Sequence, residues 1–153
     1  WYITPSLWSP DAFVLRQVGE YPKLIINKTG ASSTDTIHRI RFKRKVKPEL
    51  MALSFLNSLT FAFSEITGRS YGGGVLTFEP TEIEELPFPI LEKSTIDFKK
   101  VDSLIRQRRI EEVLDIVDEE LLIKQLKFSK VQVQMLRGIW KKMCGRRYGR
   151  KNS

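Results

Sequence analysis

Three consecutive glycines, Gly72-Gly73-Gly74, preceded by Arg69, Ser70 and Tyr71, constrain the fold of this chain more than any other feature. Glycine gives up side-chain contacts and costs backbone entropy, so a run of it is hard to explain as packing. It marks a tight turn, unusual dihedrals or a close approach of backbone to a ligand. Two readings stand side by side. One is a plain turn into a strand at Val75-Leu76-Thr77-Phe78. The other is a set of exposed N–H groups that, with Arg69 and Tyr71, suits a phosphate or the edge of a base.

Either way the turn lies inside a part of the chain that is rich in strands. Residues 11–18 and 22–29 are rich in Val, Ile, Leu and Phe and read as strands separated by Gly19-Glu20-Tyr21-Pro22. A small, polar loop over 30–36 leads to a third strand at 37–43. Pro48 and Glu49 open a helix whose stripe of Leu53, Leu56, Leu59, Phe63 and Ile66 runs to a stop at Gly68. Val75–Phe78 is a short strand, and Pro80–Leu86 is a helical turn ended by Pro87. Residues 1–90 therefore predict an α+β unit, a small mixed or antiparallel sheet with packed helices.

From Thr95 the pattern is helical throughout. Phe98, Val101, Leu104 and Ile105 make one stripe, and Ile110, Val113, Leu114, Val117 and Leu121 the next. Val131, Met135, Leu136, Ile139, Trp140 and Met143 make the last, with Asp97 and Ser129 as candidate caps. These three helices, residues 95–145, either form a small antiparallel bundle or clasp the first unit. Residues 146–153 read as a basic, flexible tail.

Lysines and arginines number 26 against 18 acids, a net charge of +8, which favours a polyanionic partner. Two clusters hold much of it: Arg39, Arg41, Lys43, Arg44, Lys45 and Lys47, then Lys141, Lys142, Arg146, Arg147, Arg150 and Lys151. Glu111, Glu112, Asp115, Asp118, Glu119 and Glu120 form an acidic face between them. The alternation in Ile37-His38-Arg39-Ile40-Arg41-Phe42 fits a half-buried strand, with His38, Arg39 or Arg41 on its open face. Such a row can neutralise several phosphates. The single Cys144 fits a reducing compartment, and no apolar run reaches the roughly 20 residues of a membrane span. A cytoplasmic protein with no membrane partner is expected. The chain opens on Trp1 rather than methionine, which reads as a piece of something longer.

One ordered set of motifs goes further. Leu56-Asn57-Ser58 within an apolar helix is followed by Gly68-Arg69-Ser70-Tyr71-Gly72-Gly73-Gly74, then Glu79-Pro80 and Leu86-Pro87-Phe88-Pro89. Upstream stand Trp8-Ser9-Pro10-Asp11-Ala12-Phe13 and Pro22-Lys23-Leu24-Ile25-Ile26-Asn27. This order and spacing, over roughly residues 1–90, resembles the C-terminal target-recognition region of N6-adenine DNA methyltransferases of bacterial restriction–modification systems. The resemblance implies a preceding domain of the same parent chain that binds S-adenosylmethionine and methylates adenine N6. The Asn/Asp-Pro-Pro-Tyr/Phe motif and the cofactor glycine motif of that domain do not occur here. The expected role of this chain is to hold double-stranded DNA and read base pairs in the major groove, with no catalytic, cofactor-binding or metal-ligating residue of its own.

Arg69, Ser70, Tyr71, Gly72, Gly73 and Gly74 are the candidates for positioning the DNA backbone. Ser32, Ser33, Thr34, Asp35, His38, Arg39 and Arg41 are the candidates for base or phosphate contact. His38 lacks any neighbouring nucleophile in the sequence pattern, and one His with one Cys does not make a four-ligand zinc site. Two alternatives remain open: a protein–protein module that docks a specificity or nuclease subunit through residues 95–145, and an RNA-binding module using Phe42 and Tyr71.

Overall fold

The computed structural model describes residues 8–149 apart from Asp35, Arg44 and Lys45. The mixed α+β architecture holds, but the strands form two small antiparallel sheets rather than one. The first expected strand is cut in two at Arg16, giving β1 (Ala12–Leu15) and β2 (Gln17–Val18). β1 lies at the centre of one sheet between β3 (Leu24–Ile26) and β4 (Ile37–Ile40), with Phe13 opposite both Ile25 and Arg39. β2 crosses into the second sheet. The switch has a physical cause: the Arg16 guanidinium donates to both Glu79 carboxylate oxygens at 2.6 and 2.9 Å, and its carbonyl accepts from Phe78 N.

The expected single helix also breaks. α1 (Pro48–Ser54) and α2 (Ser58–Thr67) meet at 66°, because Asn57 takes an extended conformation and caps α2. Its Oδ1 accepts from Thr60 N at 2.9 Å, while its Nδ2 donates to the Ser54 carbonyl and to Thr60 Oγ1. Such a cap stabilises by about 1 kcal/mol. Thr60 Oγ1 in turn donates to the Pro87 carbonyl, and Ser54 Oγ accepts from Leu91 N. The asparagine-serine pair and the proline-rich segment are thus two halves of one buried polar joint. No single helix among the described residues is long and apolar enough to cross a membrane.

β5 (Arg69–Ser70) and β2 flank β6 (Leu76–Thr77) in the second sheet, with the glycine turn between β5 and β6. α3 (Pro80–Glu84) opens on a capping box formed by Glu79 and Glu82. α4 (Phe98–Arg106), capped by Asp97, leads to α5 (Ile110–Asp118), which widens into a π-helical segment at Glu119–Gln125. α6 (Lys130–Gly149) starts at Ser129, whose Oγ accepts from Gln132 N. It continues to Gly149, so residues 146–149, expected as tail, are helical; the rest of that stretch lies outside the described residues.

Of the two arrangements open for the helical segment, it clasps the strand-bearing part. Phe61 on α2 is wholly buried between Tyr21, stacked at 5.1 Å, and Trp140 of α6 at 5.2 Å. The same cluster takes in Leu53, Leu91, Val101, Val113, Leu114 and Leu121. Burying side chains of this size contributes about 1.5–3 kcal/mol each. Asp118 is no part of an acidic surface: it is buried at the N-terminus of α2, accepting from Ser58 N, Ser58 Oγ and Arg137. Burial pushes its carboxyl up from the usual range by more than those hydrogen bonds pull it down.

Candidate nucleic-acid interface

Where β1 leaves the first sheet for the second, the two sheets part and leave a cleft of about 490 Å³. Leu15, Thr36 and Ile37 come to it from the first sheet and its connection, Gln17 and its strand partner Thr77 from the second, and Arg16, Tyr71 and Glu79 complete the lining. Tyr71 is 54% exposed, and its backbone N–H donates to the Val75 carbonyl. Thr77 is 5% exposed, and its hydroxyl has no hydrogen-bond partner among the described residues. A buried hydroxyl left unpaired costs about 1–3 kcal/mol, so this one is poised for a ligand or for water.

The acid lining the cleft, Glu79, and the neighbouring Glu82 are both neutralised. Glu79 is held by Arg16, and Glu82 accepts from Arg69 Nε at 2.6 Å while its other oxygen accepts from Glu79 N. The Glu79 N–H holds the Glu82 carboxyl below the usual carboxylate range, with Arg69 adding to the effect. Arg69, expected to meet the DNA backbone, is therefore first of all the partner of Glu82. It stays on the surface, its side chain 58% exposed, and the pair is of the kind that adds little to stability.

β4 borders this cleft only at Ile37, and the basic row runs away from it along the strand. The pleat sends Ile40 toward the core and leaves Arg39 and Arg41 on the opposite face, alongside Phe13. Both guanidiniums lie over the Trp8 ring, at 5.3 and 4.4 Å from its centroid. Such stacking is worth about 0.5–1 kcal/mol at exposed sites and presents two cations on one rigid aromatic base. Nη1 of Arg39 is buried without a hydrogen-bond partner among the described residues. His38 points to the other face, where its Nε2–H donates to the Phe78 carbonyl at 3.0 Å and ties β4 to the second sheet.

The polar loop is organised by Asn27, whose side chain bonds the Pro10 and Ala31 carbonyls and the Ala31 N–H. Ser32 and Thr34 are exposed, and the Ser33 hydroxyl is buried without a partner. Thr34 reaches the cleft through its hydroxyl contact with Thr36 at 3.4 Å. Asp35 lies outside the described residues.

The glycine run divides by role. Gly73 and Gly74 both adopt φ near +80°, where side-chain-bearing residues are strained. A Cβ on Gly73 would meet nothing within 4 Å, whereas one on Gly74 would strike the Tyr148 ring at 2.9 Å. Arg147 of α6 donates to the Gly74 carbonyl and, at 2.9 Å, to the Gly19 carbonyl. Gly74 is thus packed and bonded from the protein side, while Gly73 faces open space beside exposed Ser70 and Tyr71.

Of the residues expected to act together, Tyr71 lines the cleft, Thr34 touches its rim through Thr36, and Arg39 and Arg41 stack on Trp8 further along the chain from Ile37, while His38 and Gly74 are committed to the fold. Trp8, Gln17, Thr36 and Thr77 were not expected there. Gln17 and Thr36 carry no signal beyond polarity, and Thr77 sits in an apolar strand pattern. Among the described residues no group of three His, Cys, Asp or Glu is placed to hold a metal ion.

Comparison with known proteins agrees with the motif order. No curated protein and no solved structure matches the chain significantly. A family model does: the type II methyltransferase M.Eco57I, C-terminal domain, matches residues 1–122, most of the chain and well past the strand-bearing part. On that match, the chain belongs to the M.Eco57I C-terminal domain family and fits the C-terminal region of a restriction–modification methyltransferase.

Proposed function

We propose that this chain is the DNA-binding target-recognition domain of a site-specific N6-adenine DNA methyltransferase, or of a combined restriction–methylation enzyme. The observation that carries this reading is the run from Arg41 and Arg39, stacked on Trp8, along β4 to the cleft bordered by Tyr71, Gln17 and the unpartnered Thr77 hydroxyl. Arg39 and Arg41 stand two residues apart, about 6.8 Å of strand rise, and suit phosphates. The cleft supplies an amide, hydroxyls and an aromatic edge of the kind that contact base edges.

S-adenosylmethionine belongs to a preceding domain in this reading. The glycine turn here does not fit it: Tyr148 fills the space at Gly74, and Arg147 takes its carbonyl. The target adenine is flipped out of the stack toward the catalytic domain, because its N6 is otherwise unreachable. This domain's part is to hold the flanking duplex in register. That catalytic domain is the first partner proposed for it, and duplex DNA the second.

The test is duplex affinity across about 50–200 mM salt, where log K falls with a slope of about −0.9 per phosphate contacted. Arg39→Ala and Arg41→Ala should each reduce the slope by about 1 while lowering stability by no more than the roughly 1 kcal/mol of the lost stacking. An unchanged slope in both variants removes the β4 row from the interface. A second reading, a module that docks a specificity or nuclease subunit, rests on an exposed apolar stripe of α6: Val131 at 64%, Met135 at 63% and Ile139 at 39%. Binding to a subunit through that stripe would be insensitive to salt.

A further inference from the structure

β3 is an edge strand, and its free side opens onto a second groove. Asn27 N donates to the Asp11 carbonyl at 3.0 Å, so Asn27 and Asp11 are a bonded pair. Antiparallel pairing alternates, which makes Ile25 and Phe13 the next bonded pair. Leu24 and Ile26 therefore turn their N–H and C=O groups away from β1, toward the open edge. Among the described residues nothing hydrogen-bonds to them there.

An exposed edge of this kind is a template for another strand, and proteins that leave one open without a use invite aggregation. Here the edge does not face bulk water. It borders a groove of about 320 Å³ closed on its far side by α4 and floored by Ala52, Leu56, Val101 and Ile105. An edge strand facing a helix across an apolar trough is the geometry in which an extended peptide adds to a sheet, with backbone bonds for affinity and alternate side chains for specificity.

Charge identifies the occupant. Lys23, Lys28 and Arg106 line the groove, with Asp102 its only acid, and Asp102 is paired with Arg106 at 2.8 Å. No carboxylate of the described residues pairs with Lys23 or Lys28. We infer that the β3–α4 groove receives an extended peptide segment that alternates apolar and acidic residues, adding as a strand to β3. Apolar side chains enter the trough beside Leu24 and Ile26, and acidic ones, on the alternate face, run beside Lys23. The three-residue length of β3 limits the addition to the backbone groups of Leu24 and Ile26, so affinity is modest and sequence-dependent. The groove lies at the free edge of β3, away from the cleft where β1 changes sheets, and its use does not rest on DNA reading.

The probe is a capped, fluorescein-labelled heptapeptide alternating valine and glutamate, with its valine–lysine counterpart as control, titrated against the 153-residue chain. Three results are expected together. The glutamate peptide binds and the lysine peptide does not; Lys23→Glu, at an exposed position, weakens binding about tenfold; and hydrogen exchange slows at the Leu24 and Ile26 amides. Ile25, already bonded to β1, serves as the internal control. Failure to bind, or binding that leaves both amides exchanging as before, overturns strand addition. Displacement of the peptide by equimolar duplex DNA also overturns it, since the lysines would then serve nucleic acid.

Discussion

Replacing Arg147 by methionine tests how this fold is closed. Arg147 is 4% exposed and its partner Glu65 2% by side chain; two hydrogen bonds join them, at 2.9 and 2.5 Å. Burial works against the Arg147 charge, but Glu65 outweighs it and keeps the guanidinium protonated. Methionine keeps most of the volume and removes every donor. It strands the Glu65 carboxylate in the core and leaves the Gly74 and Gly19 carbonyls without this partner. Breaking a buried pair from one side costs about 3–5 kcal/mol, a large part of the 5–15 kcal/mol that holds a domain together. At about 2–4 °C per kcal/mol for a chain of this size, Tm should fall by roughly 6–20 °C. Urea denaturation followed by circular dichroism gives the free energy directly. Glu65→Leu combined with Arg147→Met should recover most of the loss, because a buried pair exchanged for apolar groups is often neutral or better. A single variant within about 0.5 kcal/mol of the parent, the range of ordinary surface changes, would refute the argument. So would a double variant no more stable than Arg147→Met alone.

The two strained glycines should separate cleanly. Gly73→Ala carries only the cost of positive φ, about 1 kcal/mol, while Gly74→Ala adds the collision with Tyr148 and should lose clearly more in the same melt. Asp118 has a folded pKa raised above its unfolded one, so its contribution is full below the unfolded value and lost as pH climbs through the raised one. Asp118→Asn should abolish that part of the fall in stability with rising pH, read from denaturation midpoints between the ordinary aspartate range and neutrality. Cys144 is buried, and desolvation pushes its thiol up. Iodoacetamide should therefore modify it only in urea, and rapid labelling of the folded chain at mildly alkaline pH would contradict its placement.

Local periodicity was enough for α4 and α5, whose stripes are buried, and for the extent of α6, with Asp97 and Ser129 capping within a turn of their own helices. The expected α6 stripe was not the buried one as a whole, since Val131, Met135 and Ile139 are exposed while Val133, Trp140, Cys144 and Arg147 face the core. Breaks set by distant partners were illegible. The stripe from Leu53 to Ile66 runs unbroken through Asn57, yet Asn57 caps a new helix in a joint with Pro87. The switch of sheets at Arg16 depends on Glu79, 63 residues away, and the helical end of α6 on Glu65, 82 residues away. The same limit governs the candidate interface. The alternation in β4 was plain, but which arginines stay open was decided by Trp8 on one face and the Phe78 carbonyl on the other.

The signature residues that point to the family serve mainly to build this scaffold. Asn57 caps α2, Ser58 meets Asp118, Glu79 pairs with Arg16, and Gly74 makes room for Tyr148. In the reading proposed above, direct contact with DNA would fall to the residues that this scaffold leaves uncommitted, chiefly Tyr71, Gly73 and the stacked Arg39 and Arg41. The family match ends at residue 122, whereas Trp140, Arg147 and Tyr148 come from α6 beyond it. Those three side chains brace Phe61, Glu65 and the glycine turn. The turn that presents Tyr71 is thus held from outside the matched span. Perturbing α6 at Arg147 or Tyr148 should alter duplex affinity through the position of Tyr71, even though neither side chain borders the cleft. Loss of affinity in Tyr148→Ala alongside unchanged affinity in Met135→Ala would place that coupling in the α6–turn contact rather than in the exposed stripe.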